Sequence, residues 1–111
     1  KMEHIIDRHP DRPWNWTLVS MNPNITMETV DRHPDRPWDW ASLSRNPNIT
    51  MEIIDRNPNK PWDWRWISYN PNITMEFVDR HPDKPWHWGG HFPEPKHNYG
   101  IHRPVSRQTT V

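Results

Sequence analysis

The chain has 111 residues, enough for one small domain, with 14 basic and 14 acidic side chains and no cysteine. The balanced charge excludes the basic stripe of a nucleic-acid or anionic-membrane binder, and the lack of cysteine excludes disulfides and thiolate metal sites. Only 32% of the residues are apolar and 14 are proline. Nine tryptophans nevertheless predict a folded chain with a thin core of stacked tryptophan pairs.

A 24-residue unit recurs from Ile5 to Trp88 without insertion or deletion. Full copies span 5–28, 29–52 and 53–76, and a partial copy spans 77–88. Among the full copies, 14 of the 24 columns do not vary, which is typical of stacked repeat units. We interpret residues 1–4 as part of a preceding copy and residues 89–111, which match no copy, as an irregular or disordered tail.

Prolines divide each unit into two short segments. In the first copy, the first segment runs from Pro13 to about Met21, with proline as the first helical residue. Asn15 then falls in the first turn, as do Asp39 and Asp63 in later copies, where a carboxylate faces the positive end of the helix dipole. The segment ends at the Asn-Pro junction, because the residue before proline avoids the α region.

The second segment begins at Thr26, a preferred N-cap residue. Ile25 precedes the cap and Val30 follows it by four residues, which is the spacing of a hydrophobic staple. The segment ends at His33, before Pro34. Because each helix would have only about two turns, stacking between units has to supply the stability.

The predicted fold is therefore all-α, a short α/α solenoid of two-helix repeats. A β-solenoid is the alternative, because residues 62–66 alternate as a half-buried strand does. The other copies break this alternation. The column of Val19, Leu43 and Ile67 stays apolar three residues after the second tryptophan, which is a helical step, so paired short helices are favoured.

The motifs N-P-N-I-T-M-E, D-[RK]-P-W-x-W and [VLI]-S-x-N resemble a tandem-repeat family encoded by giant DNA viruses of the mimivirus type. The resemblance covers residues 5–88 and is strongest from Pro61 to Val78. The chain departs from the family after Trp88, where Gly89-Gly90 replaces the expected helix continuation. The resemblance implies a viral repeat protein, which would lie in the host cytoplasm or the virion, and it carries over no functional residues. Independently, the sequence shows no signal peptide, so we expect an intracellular protein that is not secreted.

Repeat scaffolds bind through their variable columns. On that basis the candidate binding residues are Leu18, Met21, Arg45, Arg65, Trp66 and Tyr69. The leading hypothesis is a protein–protein interaction or assembly scaffold with an unidentified protein partner. We also expect end-to-end association of copies, because Gly89-Gly90 is a poor cap for a stack. The alternative is a carbohydrate or single-stranded nucleic-acid module that uses exposed tryptophan faces, although the balanced charge argues against nucleic acid.

No enzyme, no cofactor and no membrane span are predicted. The pair Asp7-Arg8 recurs in every copy, and we interpret it as a ladder of ion pairs between units, since a catalytic dyad would not recur four times. Asn24, Asn48 and Asn72 each start a glycosylation sequon, but an Asn-Pro-Asn turn followed by a threonine cap explains the same residues.

The histidines predict no metal site. His9, His33 and His81 share a column with Asn57, and that exchange indicates a backbone-bonding helix cap, not a ligand. The only other cluster consists of His87, His91 and His97, short of the four ligands of a structural zinc site. At the end of the chain, Thr109 and Val111 match the carboxylate-terminal pattern that PDZ domains bind.

Overall fold

The computed structural model describes residues 2–93, with side chains described from residue 5 onward. In this range the chain forms short α-helices: α1 (Met2–Arg8), α2 (Trp16–Met21), α3 (Met27–Arg32), α4 (Trp40–Ser44), α5 (Met51–Arg56), α6 (Trp64–Ile67) and α7 (Met75–Arg80). No strand occurs between residues 2 and 93, so the all-α prediction is confirmed and the β-solenoid alternative is wrong there. Among the described helices, none combines the length and apolarity that crossing a membrane requires.

First helices (α2, α4, α6) alternate with second helices (α3, α5, α7), and helices of each kind begin 24 residues apart. The first helices pack side by side, α2 on α4 and α4 on α6. The structure is elongated, with extents of 51 × 25 × 22 Å along its principal axes. Helix α1 has the sequence pattern of a second helix with one residue more, because His4 is inserted before the Ile-Ile pair.

Each first helix begins three residues later than its proline predicts. Asn15 is the N-cap of α2, with extended backbone, and its side chain accepts a hydrogen bond from the N–H of Leu18 at 3.1 Å. Asp39 and Asp63 cap α4 and α6 in the same way. The prediction that Pro13 is the first helical residue is therefore wrong. The helix starts where a side chain satisfies one of its free N–H groups, and a proline offers no such acceptor.

The second helices begin where their threonines predict. The side chains of Thr50 and Thr74 accept hydrogen bonds from the N–H groups of Ile53 and Phe77, and Thr26 occupies the same N-cap position. The helices end at an arginine, and the C-cap residues that follow are His33, Asn57 and His81. The backbone N–H of each C-cap donates to the carbonyl three residues before it.

The buried core combines aliphatic side chains with Phe77 and three tryptophans, and four further tryptophans pack against it: Trp38, Trp62 and Trp86 inside, and Trp14, Trp16, Trp40 and Trp64 at its edge. The predicted apolar column of Val19, Leu43 and Ile67 is at most 4% exposed, and the buried staple residues join it. Trp16 meets Trp38 edge to face, with ring centroids 4.9 Å apart at 79°, and the same contact recurs across the next two boundaries. The predicted stacked pairs are wrong, because the positive edge of one indole faces the negative face of the next.

Invariant serines and asparagines join successive repeats. The Ser44 hydroxyl donates to the Trp40 carbonyl and accepts from the backbone N–H of Asp63 in the next repeat, at 2.6 and 2.9 Å. Asn46 donates from its side-chain amide to the Ser20 carbonyl of the previous repeat at 2.8 Å. Equivalent bonds recur along the stack. These columns therefore stay constant because they supply the polar contacts between repeats.

Residues 87–93 lie against the end of α6. The His91 N–H donates to the Ser68 carbonyl at 2.7 Å, and Phe92 packs on Trp86 and Trp88. A Cβ on Gly90 would lie 2.3 Å from the same carbonyl oxygen, so only glycine fits this approach. The missing side chain at Gly90 is therefore what allows the segment to close on α6.

Candidate binding surfaces

The predicted binding residues lie on the first helices and just beyond their ends. We call them the first-helix surface: Leu18, Met21, Arg45, Arg65, Trp66 and Tyr69. Leu18 and Met21 are 60% and 48% exposed, more than Ile5 and Trp88, the other exposed large hydrophobic side chains among the described residues. An apolar side chain left in water does not contribute the stabilisation that burial would give, and it remains available to contact a partner.

Three of these residues touch one another across a repeat boundary. The Arg45 guanidinium carbon lies 4.9 Å from the centroid of the Trp66 ring, which is a cation–π contact. Trp66 in turn meets Tyr69, with ring centroids 5.4 Å apart. Arg65 is exposed beside them on α6. Leu18 and Met21 occupy the corresponding columns of the first repeat.

The row of side chains continues to His87, a member of the histidine cluster seen in the sequence. Its ring stacks on Tyr69 with centroids 5.3 Å apart, and its Nδ1 is hydrogen bonded to the tyrosine hydroxyl. His87 stands in the column that holds the N-cap residues Asn15, Asp39 and Asp63. The replacement of a capping residue by histidine in this column is the sequence signal that His87 has a different role.

The predicted ladder of ion pairs is confirmed at two boundaries. Asp7 receives a bidentate contact from Arg32, whose terminal nitrogen lies 2.9 Å from Oδ2, and a hydrogen bond from His33 at 2.8 Å. Arg80 and His81 contact Asp55 at 2.7 and 3.1 Å. The hydrogen bond from Arg32, and next the one from His33, hold the pKa of Asp7 below its ordinary value.

The middle boundary differs because Asn57 replaces the histidine. Its side-chain amide donates to the Ile53 carbonyl at 2.7 Å, as a backbone-bonding cap does. Arg56 pairs with Glu52 on its own helix at 2.9 Å. The predicted cap role is correct at all three positions, since each residue is a C-cap with a backbone N–H bonded to its helix. The side chains differ, because the imidazoles of His33 and His81 reach the carboxylate of the previous repeat.

A cleft of about 190 Å³ lies between the third and fourth copies. It is lined by Ile54, Asp55, Pro58, Trp62, Trp64, His81 and Lys84. The Lys84 ammonium lies 4.8 Å from the centroid of the Trp64 ring. Sequence reasoning missed this site, because its aromatic lining comes from columns that also serve the core.

The Asn-Pro-Asn segments form the predicted turns. The Asn22 side chain accepts from the N–H of Asn24 at 2.8 Å, and the later copies repeat this bond. Among the sequon asparagines, Asn24 is exposed, whereas Asn72 donates its side-chain amide to the Pro47 and Ile49 carbonyls of the previous repeat. Attachment of a sugar to that amide would break these contacts.

The histidine cluster and the C-terminal motif lie partly or wholly beyond the described residues. Within residues 2–93, no group of three potential metal ligands is close enough to hold an ion. His91 is exposed, and the His87 ring is engaged by Tyr69. His97, Thr109 and Val111 lie outside the described residues.

Comparison of the chain with protein-family models, with curated proteins and with solved structures returned no match.

Proposed function

We propose that this chain is a non-enzymatic α/α solenoid, encoded by a giant DNA virus, that binds a protein partner through the first-helix surface. One observation carries the proposal. Invariant polar columns serve as caps and as bonds between repeats, whereas the large side chains of Leu18, Met21 and Trp66 occupy columns that vary and are not enclosed by the core. Folding explains why the polar columns are invariant, but it does not explain the large side chains in the variable columns.

The chemistry of this surface suits a short peptide segment with apolar and acidic side chains. Arginine and aromatic residues dominate the binding energy of protein interfaces, and here Arg45 lies over Trp66 beside Tyr69. Arg45 and Arg65 supply positive charge that complements a carboxylate. The surface is small, so we expect weak, transient binding.

The ion-pair ladder supports a role without catalysis. The carboxylates of Asp7 and Asp55, the residues that recur beside arginine, are each engaged by an arginine and a histidine of the next repeat. A general base has to be free to accept a proton from substrate. These groups are instead used to hold neighbouring repeats together.

A second candidate, binding of carbohydrate or single-stranded nucleic acid, is favoured by the row of rings formed by Trp66, Tyr69 and His87. Their centroids are spaced 5.4 and 5.3 Å apart, so each ring already contacts a neighbour. Bases and sugars stack on exposed ring faces, and sites for single-stranded nucleic acid normally also track the charged backbone with a positive groove. The zero formal net charge favours the protein partner over nucleic acid.

The test is selection of short peptides from a random displayed library on the immobilised chain, followed by titration of each selected peptide. We expect enriched peptides with aromatic or aliphatic residues flanked by Asp or Glu, and saturable binding in solution. Titrations with oligothymidylate and with cello-oligosaccharides, read by tryptophan fluorescence, examine the second candidate. Saturable binding of either, without any enriched peptide, would replace the proposal.

A further inference from the structure

The cleft between the third and fourth copies shares no residue with the first-helix surface. Its walls are the indoles of Trp62 and Trp64, and Pro58 and Ile54 complete its apolar lining. Polar groups come from Asp55, His81 and Lys84. An aromatic recess with a few convergent polar groups is the usual composition of a small-molecule site.

Within the described part of the chain, Lys84 lacks the nearby carboxylate that the equivalent cations have at the other two boundaries. Arg36, its counterpart in the second copy, pairs with Asp11 at 2.7 Å, and Lys60, its counterpart in the third, lies 3.8 Å from Asp31. In the third copy, which contributes one side of the boundary at Lys84, the residue equivalent to Asp11 is Asn59. Within residues 5–93, no carboxylate lies within 4.0 Å of the Lys84 ammonium, which rests on the face of Trp64.

The carboxylate that lines the cleft is already neutralised. Asp55 accepts hydrogen bonds from Arg80 at 2.7 Å and from His81 at 3.1 Å. A carboxylate has about four acceptor positions, so Asp55 retains the capacity to accept a hydroxyl as well. The site therefore combines one uncompensated ammonium, one acceptor for hydroxyl groups and two indole walls.

We propose that this cleft binds a hexuronic acid residue. The sugar carboxylate would pair with Lys84, its ring hydroxyls would donate to Asp55, and its C–H groups would pack against the apolar lining that Ile54, Pro58 and Trp62 supply. At about 190 Å³ the cleft is smaller than ordinary drug-sized sites, which suits a single pyranose ring.

The experiment titrates the full chain with D-glucuronate and follows the indole N–H resonances of Trp62 and Trp64 by ¹⁵N NMR. D-glucose, which lacks the carboxylate, and benzoate, which lacks the hydroxyls, serve as comparison ligands. We expect saturable shifts of both indoles with glucuronate, and affinity lower by about tenfold or more for glucose and benzoate. The absence of a saturable shift with glucuronate, or equal affinity for all three compounds, would overturn the proposal.

Matched variants separate recognition from folding. Lys84→Gln removes the ammonium, and Asn59→Asp supplies the carboxylate that, as Asp11, pairs with the equivalent cation Arg36 at the first boundary. Both variants are expected to weaken glucuronate binding by about tenfold. Lys60→Gln changes the same column at the boundary where the cation lies near Asp31, and binding is expected to be unchanged. If Lys84→Gln binds as tightly as the wild type, with its far-UV circular dichroism unaltered, the assignment is wrong.

Discussion

The side-chain amide of Asn70 donates a hydrogen bond to the main-chain carbonyl of Ser44, one repeat earlier, at 2.8 Å. The same amide also contacts the carbonyls of Asn46 and Ile49, and its oxygen accepts from the N–H of Asn72. Asn70 is 0% exposed. One buried side chain therefore satisfies main-chain groups of two adjacent repeats, which explains why asparagine does not vary in this column.

Replacing Asn70 by alanine is expected to lower the free energy of unfolding by about 2–3 kcal/mol, because buried carbonyls lose their donor. Asn22→Ala is the matched control: Asn22 is half-buried and shares the turn bond to the residue two positions on. Urea denaturation compares the two. Equal losses would mean that the turn, and not the contact between repeats, makes asparagine necessary.

Asp63 distinguishes a capping role from a charge–dipole role. As an N-cap it accepts from the N–H of Trp66, which asparagine does equally well at the corresponding position of the first repeat. Asp63→Asn should change the unfolding free energy by less than about 0.5 kcal/mol, and Asp63→Ala should lower it by about 1 kcal/mol. If Asp63→Asn proves as damaging as Asp63→Ala, the negative charge matters and the first-turn interpretation is restored.

Gly90 and Gly89 form a natural pair for testing the closure against α6. An added Cβ at Gly90 would lie 2.3 Å from the Ser68 carbonyl oxygen, whereas at Gly89 its nearest contact is 3.5 Å, to the His87 ring. Gly90→Ala is expected to cost about 1–3 kcal/mol and to expose the His91 N–H to hydrogen exchange. Gly89→Ala should leave both nearly unchanged, and an effect of equal size at the two glycines would argue against the close approach.

The lowered pKa of Asp7 predicts a pH-dependent contribution to stability. The charged form is favoured in the folded state, so the contribution is present above the unfolded-state pKa and is lost as the pH falls through the lower folded-state value. Because Asp7 and Arg32 are 33% and 47% exposed, it should amount to less than about 1 kcal/mol.

Urea titrations of the wild type and of Asp7→Asn over a series of acidic pH values measure this contribution. The wild type should be the more stable protein near neutral pH, and the gap should close in acid. A gap that stays constant with pH would show that the carboxylate charge is not its source.

Much of the local structure could be predicted from sequence because each signal acts within a few residues. Thr50 and Thr74 cap helices as expected, and the column of Val19, Leu43 and Ile67 is buried as its spacing predicts. The start of α2 could not be read from Pro13, because proline and Asn15 are both acceptable near a helix start and only the cap bond decides.

The candidate sites were harder to foresee because they depend on contacts between repeats. The variable columns indicated Arg45, Trp66 and Tyr69, but not that Arg45 crosses a boundary to reach Trp66. The candidate site beside Lys84 combines two features, an asparagine at position 59 where the first copy has Asp11, and a cleft between adjacent copies. Column comparison shows the first of these, and only three-dimensional structure shows the second.

The central claim is that the variable columns of the first-helix surface bind, whereas the invariant columns and the buried column of Val19, Leu43 and Ile67 stabilise the fold. The most direct test measures the affinity of a selected peptide for the double variant Trp66→Ser, Tyr69→Met, which installs residues found in the same columns of other copies. We predict binding weaker by about tenfold or more, with the unfolding free energy lowered by less than about 1 kcal/mol. The exposed second-helix variant Arg56→Gln should bind normally. Undiminished affinity of the double variant would contradict the account.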